Sequence, residues 1–174
     1  MSDIDSLPGL LASGWSVLQK GRQVAFANVS NGPDVRTVVL RGVRPELGEV
    51  DVHTDIGSSK VAALRADPAC AILFWDEAAA IQVRLYAEAT ILAGDAVRDA
   101  WDKVPDASQT AYGKVPPPGT PIDGSLDYRL TPGPENFVIL LCRASRIDLV
   151  HLGEDHRRAV YERADGWAGR WLSP

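Results

Sequence analysis

Residues 80–92 alternate with a period of two: Ile81, Val83, Leu85, Ala87 and Ala89 against Gln82, Arg84, Tyr86, Glu88 and Thr90. Only an extended strand sends successive side chains to opposite faces, so this stretch is a β-strand with one side on a core. Residues 22–29, 36–43 and 50–55 read as strands too, divided by the turn clusters Asn31-Gly32-Pro33 and Pro45-Glu46-Leu47-Gly48. Residues 70–75 are nearly all apolar, as in a strand covered on both faces. Four more strands are predicted at 137–143, 146–152, 157–163 and 167–172. Short turns and single inserted helices join most neighbours, which argues for an antiparallel sheet. About eight such strands close most economically into a barrel with helices packed outside, a mainly β fold with peripheral helices.

The helices are few. Residues 7–20 place Leu10, Leu11, Trp15 and Leu18 near one face, and Gly21 is expected to end that helix. A short helix at 59–66 stops at Asp67-Pro68, since the residue before proline avoids helical backbone. Gly94-Asp95 starts another at about 96–103, and a further one follows Pro105-Asp106. From Val115 to Asn136 the chain is rich in Pro and Gly, a loop long enough to be a lid, a dimer arm or a mobile segment.

At 174 residues the chain is expected to form one domain, 1–174, able to bury a core without disulfides. Its net charge of −5 argues against nucleic acid, whose binding needs clustered Lys and Arg. No stretch has the length of a membrane-spanning helix, and no cationic segment followed by an apolar run opens the chain. Cys70 and Cys142 sit inside apolar runs and read as buried residues of a reducing, cytoplasmic compartment. His53, His151 and His156 are scattered, so no metal site is expected.

One segment asks for an anion. Gly57-Ser58-Ser59-Lys60 lies between a strand end and a helix start. A helix N-terminus exposes unpaired N–H groups and carries partial positive charge, to which two hydroxyls and an ammonium are added here. The simpler reading is that one serine caps the helix while Lys60 points to solvent. No nucleotide-binding glycine pattern is present. Arg36 and Arg41 flank an otherwise apolar strand, where arginine needs an anionic partner. Gln82 stands among polar positions of its strand, where an amide can read a heterocycle.

The ordered set Arg36-Thr-Val-Val-Leu-Arg41, His53-Thr54-Asp-Ile-Gly-Ser58-Ser59-Lys60, Asp67-Pro68, Phe74-Trp75 and Gln82-Val83-Arg84 resembles the pyridoxamine 5′-phosphate oxidase family of FMN-binding split β-barrels. The similarity continues through Trp101, Pro105 and Ser108-Gln109, and returns at His156-Arg157-Arg158-Ala-Val-Tyr161 and in the closing Trp167…Leu172-Ser173-Pro174. It is greatest to a shorter, uncharacterised branch of that superfamily. The resemblance implies that Arg36 and Lys60 hold the FMN phosphate with Ser58 and Ser59, and that Thr54 contacts the flavin. His53 takes a place commonly filled by an aromatic ring, and Arg41 replaces a lysine near flavin and substrate. Gln82 matches an amide on the isoalloxazine, and Arg158 an arginine that reaches the flavin across a homodimer interface.

The substrate half of the family pattern is lost. Ala100 and Val104 stand where the oxidases carry a Tyr and an Arg for the substrate phosphate, and Glu154-Asp155-His156 replaces their Arg-x-His segment. The resemblance therefore implies a homodimeric FMN oxidoreductase with a small-molecule redox substrate other than a vitamin B6 phosphate. His53 and His156 are the candidates for proton transfer, and neither is assigned a catalytic role. Two rivals stay open: a flavin-holding module without turnover, and a split barrel that holds haem.

Overall fold

A computed structural model describes residues 3–174. Helix α1 spans Leu7–Lys20; Ser6 caps it by accepting a hydrogen bond from the Gly9 amide at 3.2 Å. Strands β1 (Gln23–Val29), β2 (Pro33–Arg44) and β3 (Glu49–Asp55) follow, then helix α2 (Ser59–Ala66) and strands β4 (Ala69–Asp76) and β5 (Ile81–Leu92). A 3₁₀ turn at Gly94–Val97 leads into the one-turn helices α3 (Arg98–Trp101) and α4 (Asp106–Gln109). The Pro-rich loop carries a small ladder of β6 (Lys114–Val115) and β7 (Arg129–Leu130). Strands β8 (Phe137–His151), β9 (Arg157–Glu162) and β10 (Arg170–Leu172) complete the chain.

All strand pairs are antiparallel. The order β10-β9-β8-β3-β2-β1-β4-β5, with β5 also paired to β8, closes six strands into a barrel and leaves β9 and β10 as an extension. Pattern reading expected about eight strands in the ring. The difference lies in β8, which pairs with β3 through Phe137–Arg143, with β5 through Ile139–His151 and with β9 through Arg146–His151. One long strand thus replaces the two predicted at 137–143 and 146–152. Tyr86 pairs with Arg146 and Ala87 with Ala144, so Ser145 is bulged out, its hydroxyl donating to the Tyr86 carbonyl at 3.2 Å. The bulge moves the barrel-facing set from Cys142 and Ala144 to Ile147 and Leu149.

The barrel interior is filled by Phe26, Val50, Val52, Ile72, Leu85, Leu140 and Leu149, each at most 1% exposed. Helix α1 adds Leu10 and Leu18 to this core, and the Tyr161 hydroxyl ties it down by donating to the Leu7 carbonyl at 2.8 Å. Gly21 follows α1 in extended backbone (φ −78°), not the left-handed conformation of a glycine stop. Its lack of a side chain matters for space: a Cβ there would lie 2.1 Å from the Phe74 ring. The final strand, predicted at 167–172, shrinks to β10, because left-handed Trp167 (φ +65°) and Gly169 (φ +78°) interrupt its first half.

A second apolar cluster forms outside the barrel. Trp101 and Val104, from α3 and the turn after it, pack with Tyr112 on Phe137 and Ile139, which β8 presents outward. Tyr112 and Phe137 meet edge to face at 5.0 Å, and His53 meets Phe137 the same way at 4.9 Å. This cluster fixes the α3–α4 segment over one end of β3. Among the described residues no helix is long and apolar enough to cross a membrane, and no group of three His, Cys, Asp or Glu is placed to hold a metal.

Candidate functional site

Beside that cluster lies a cavity of about 390 Å³, lined among others by Arg36, Arg41, His53, Thr54, Ser58 and Lys60. Six of the nine residues singled out by sequence therefore meet around one space, of a size usual for small-molecule sites (about 300–1,000 Å³). Strand alternation sends Arg36 to the side of β2 shared by Val38 and Leu40. Arg41 is placed by a bulge: Leu40 pairs with Val52 but Gly42 with Asp51, so Arg41 is the extra residue of its strand and is re-aimed by the break.

Lys60 is the centre of the polar wall. Its Nζ donates to Thr54 Oγ1 at 2.8 Å, and Thr54 Oγ1 lies 3.5 Å from Ser58 Oγ. Ser58 is the N-cap residue of α2 yet makes no side-chain cap bond, so its hydroxyl is not spent on the helix. Burial pushes the Lys60 pKa below the ordinary lysine value, and the neighbouring Arg36 cation pushes it the same way against Asp55 and Asp34. Arg36 donates to Asn28 Oδ1 and Asp34 Oδ2, which fix its guanidinium.

Asp55 also lines the cavity, but both its oxygens are occupied. Oδ1 accepts from the Gly57 amide at 2.7 Å and Oδ2 from the Gly113 amide at 2.6 Å. One buried carboxylate thereby fastens the turn into α2 to the segment carrying Tyr112 and Lys114, both of which line the cavity. Gly113 is required there: its φ is +79° and a Cβ would sit 2.1 Å from the Thr131 carbonyl oxygen. Sequence reading passed over Asp55; its signal was an acid at the end of a strand, next to the proposed flavin contacts His53 and Thr54. Pro118, from the Pro-rich loop, lines the same cavity.

Arg41, His53 and Tyr112 also line a second, smaller pocket of about 190 Å³. Its other walls are Ala100, Lys103, Val104, Pro105 and Ser108. Burial, reinforced by Arg41, lowers the His53 pKa, while Asp51 opposes it, so the ring is neutral near pH 7. Burial raises the Tyr112 pKa although Arg41 works against it.

Three sequence-selected residues lie elsewhere. Ser59, the first residue of α2, is exposed and does not line either cavity. Gln82 and Arg158 flank Val150 in one row across β5, β8 and β9 and line neither cavity. Arg158 pairs with the fully buried Asp148, Nε to Oδ1 3.2 Å and Nη2 to Oδ2 3.0 Å; Arg84 Nη2 meets the same Oδ2 at 2.8 Å. Glu154 and His156 are exposed in the β8–β9 turn and line neither cavity.

The large cavity fits a phosphorylated planar cofactor. Lys60, Arg36 and two hydroxyls offer donors to a compact anion, the one carboxylate present is already satisfied, and Val38, Val39 and Val52 supply an apolar wall.

Residues 10–93 match the family model for pyridoxamine 5′-phosphate oxidase, FMN-binding domain. Among solved structures the chain is similar to a pyridoxamine 5′-phosphate oxidase-related, FMN-binding protein of Nostoc punctiforme (26% identity, 95% of this chain and 96% of that one, TM-score 0.76). It also shares the fold of PhzG from Burkholderia lata, solved with tetrahydrophenazine-1-carboxylic acid (17% identity, 100% and 94% covered, TM-score 0.74). A haem-binding protein of Mycobacterium smegmatis shares the fold at 17% identity, with 86% of this chain and 57% of that one covered and a TM-score of 0.56. No curated protein matches the chain in sequence.

Proposed function

We propose that the chain is a member of the pyridoxamine 5′-phosphate oxidase-like family of FMN-binding split barrels, and that it is an FMN-dependent oxidoreductase whose substrate is not a B6 phosphate. The observation that carries the cofactor half of this reading is the partly buried Lys60, which has no ion-pair partner among the described residues and is set beside Arg36, Thr54 and Ser58 on one cavity wall. A phosphate monoester presents several oxygens at one point to the ammonium, the guanidinium and both hydroxyls, which favours FMN over haem, whose acid groups are two separate carboxylates.

Bound FMN supplies two-electron redox chemistry at its ring. The chain's own residues set the conditions for it. Lys60, Arg36 and Ser58 anchor the phosphate, and Thr54 orients the Lys60 ammonium. Arg41 holds a fixed positive charge on the wall common to both cavities, and His53 presents a neutral ring nitrogen at the same wall, able to accept a proton. The substrate enters through the smaller pocket, where Ala100 and Val104 leave apolar surface.

The working unit in this reading is a homodimer. Gln82 and Arg158 lie outside the cavity of their own protomer, so each serves a flavin only if a second copy brings it there. The barrel face nearby supports such packing: Val35, Leu73 and Trp75 are 66%, 41% and 45% exposed on strands β2 and β4, which flank β1 and its alanines Ala25 and Ala27. An absorption spectrum after reconstitution with FMN, FAD or riboflavin tests the cofactor, and flavin-reduction assays with NADH and NADPH separate an oxidoreductase from a module that only holds flavin.

A further inference from the structure

The 190 Å³ pocket has a charge imbalance of which the flavin reading uses Arg41 alone and leaves Lys103 without a role. Arg41 and Lys103 both line it, and no Asp or Glu does. Neither cation has an ion-pair partner among the described residues. Arg41 marks the end shared with the larger cavity, whereas Lys103 belongs to this pocket alone. Between them Ala100, Val104 and Pro105 give apolar surface, and Ser108 adds a hydroxyl. A cavity of about 150 Å³ with apolar walls accommodates a benzene ring, so about 190 Å³ holds a single six-membered ring with a small substituent.

From this combination we infer that the pocket binds a single-ring organic mono-anion, an aromatic carboxylate, with the acid group at Lys103 and the ring against Ala100 and Val104. The inference rests on the reading that FMN fills the adjoining cavity, since that places the ring of the acid beside the flavin. A carboxylate suits one ammonium and one hydroxyl, where a dianionic phosphate needs more donors than these walls offer. The apolar walls favour the ring over a small hydrophilic anion. Lys103 replaces, one position before Val104, a charge that the Ala100 and Val104 positions lack.

The test uses FMN-loaded protein and labelled benzoate in equilibrium dialysis, with benzamide, acetate and phenyl phosphate as competitors. Benzoate is expected to bind one per chain. Benzamide and acetate should compete at least roughly tenfold more weakly, the loss typical of a charged hydrogen bond or of the ring's burial. Lys103→Gln should weaken benzoate by a similar factor while FMN absorbance and content stay unchanged, and Lys103→Arg should restore binding. Lys103 is exposed, so these variants should fold. Benzamide or acetate competing as well as benzoate, phenyl phosphate competing better, or an unaltered affinity in Lys103→Gln would each overturn the assignment. Flavin content is read on the same samples. A chain that takes up no FMN contradicts the cofactor reading, and benzoate dialysis on that flavin-free chain still decides the pocket.

Discussion

Lys60 donates a hydrogen bond to Thr54 across the entry to α2, Nζ to Oγ1 2.8 Å, and so holds an ammonium over a cavity whose one carboxylate, Asp55, is already bonded to backbone amides. The geometry favours an anion site over simple serine capping at this helix start. Ser58 spends nothing on the cap, and burial together with Arg36 makes the charged form of Lys60 costly until an anion arrives.

A pH dependence follows. In the free protein the Lys60 pKa lies below its ordinary value, and a bound phosphate raises it again because the anion favours the charged form. Binding therefore favours the protonated lysine. FMN affinity should be constant below the free-protein pKa of Lys60 and fall as pH rises through it, earlier than an ordinary lysine would titrate. Fluorescence titrations of FMN from pH 7 to about pH 10 should show that decline, and Lys60→Gln should flatten it. A decline of the same size in Lys60→Gln would assign it to another group.

Assembly is tested on the exposed barrel face. Leu73→Glu places a charge in the apolar patch with Val35 and Trp75, and should turn a dimer into monomers while weakening FMN. Arg158→Ala should weaken FMN without dissociating the dimer, since Asp148 keeps Arg84 as a partner. Sedimentation velocity with flavin absorbance detection reads both. A native monomer holding one tightly bound FMN contradicts the interface.

Turnover of pyridoxine 5′-phosphate and pyridoxamine 5′-phosphate should be negligible with FMN fully bound. Ala100 and Val104 face the smaller pocket with methyl groups, and an incompletely paired buried phosphate costs at least several kcal/mol. Oxygen consumption with each ester is the measurement. Robust turnover would mean that Lys103, Arg41 and Ser108 suffice for a phosphate.

Gly21→Ala should destabilise the fold by about 1–3 kcal/mol, an overpacking cost, because the new methyl meets the Phe74 ring rather than a strained backbone angle. Denaturant unfolding of that variant beside Phe74→Leu/Gly21→Ala gives the check: relief in the double variant is expected, and equal loss in both would point to the backbone.

Much of this was legible in the residues because it depends on local chemistry. The period of two in β5, the proline stop after α2 and the Ser-Ser-Lys turn are each written within a dozen neighbours. What was not legible depends on pairing between distant segments. Ser145 reads as part of a break between strands 137–143 and 146–152, since Arg143 and Arg146 on either side are polar; only the register against Tyr86 and Ala87 shows a bulge in a continuous β8. Gly21 looks like a helix stop for its flexibility, while the reason is the ring of Phe74 fifty-three residues on. Asp55 and Lys103 were missed for the same cause. The partners of Asp55 at Gly113 and Lys114 come from another part of the chain, and Lys103 comes to line one pocket with Arg41 only after the aromatic cluster docks α3 beside β3.

The most direct test of the account is a paired titration of FMN and riboflavin on the native chain and on Lys60→Ala. Losing one charge-assisted contact costs about 1.5–3 kcal/mol, roughly tenfold to more than a hundredfold in affinity. The account predicts tight FMN and weak riboflavin binding to the native chain, with Lys60→Ala losing FMN affinity by that factor and leaving riboflavin nearly unchanged. Equal affinity of the native chain for both ligands, or an equal loss of both in Lys60→Ala, would contradict it.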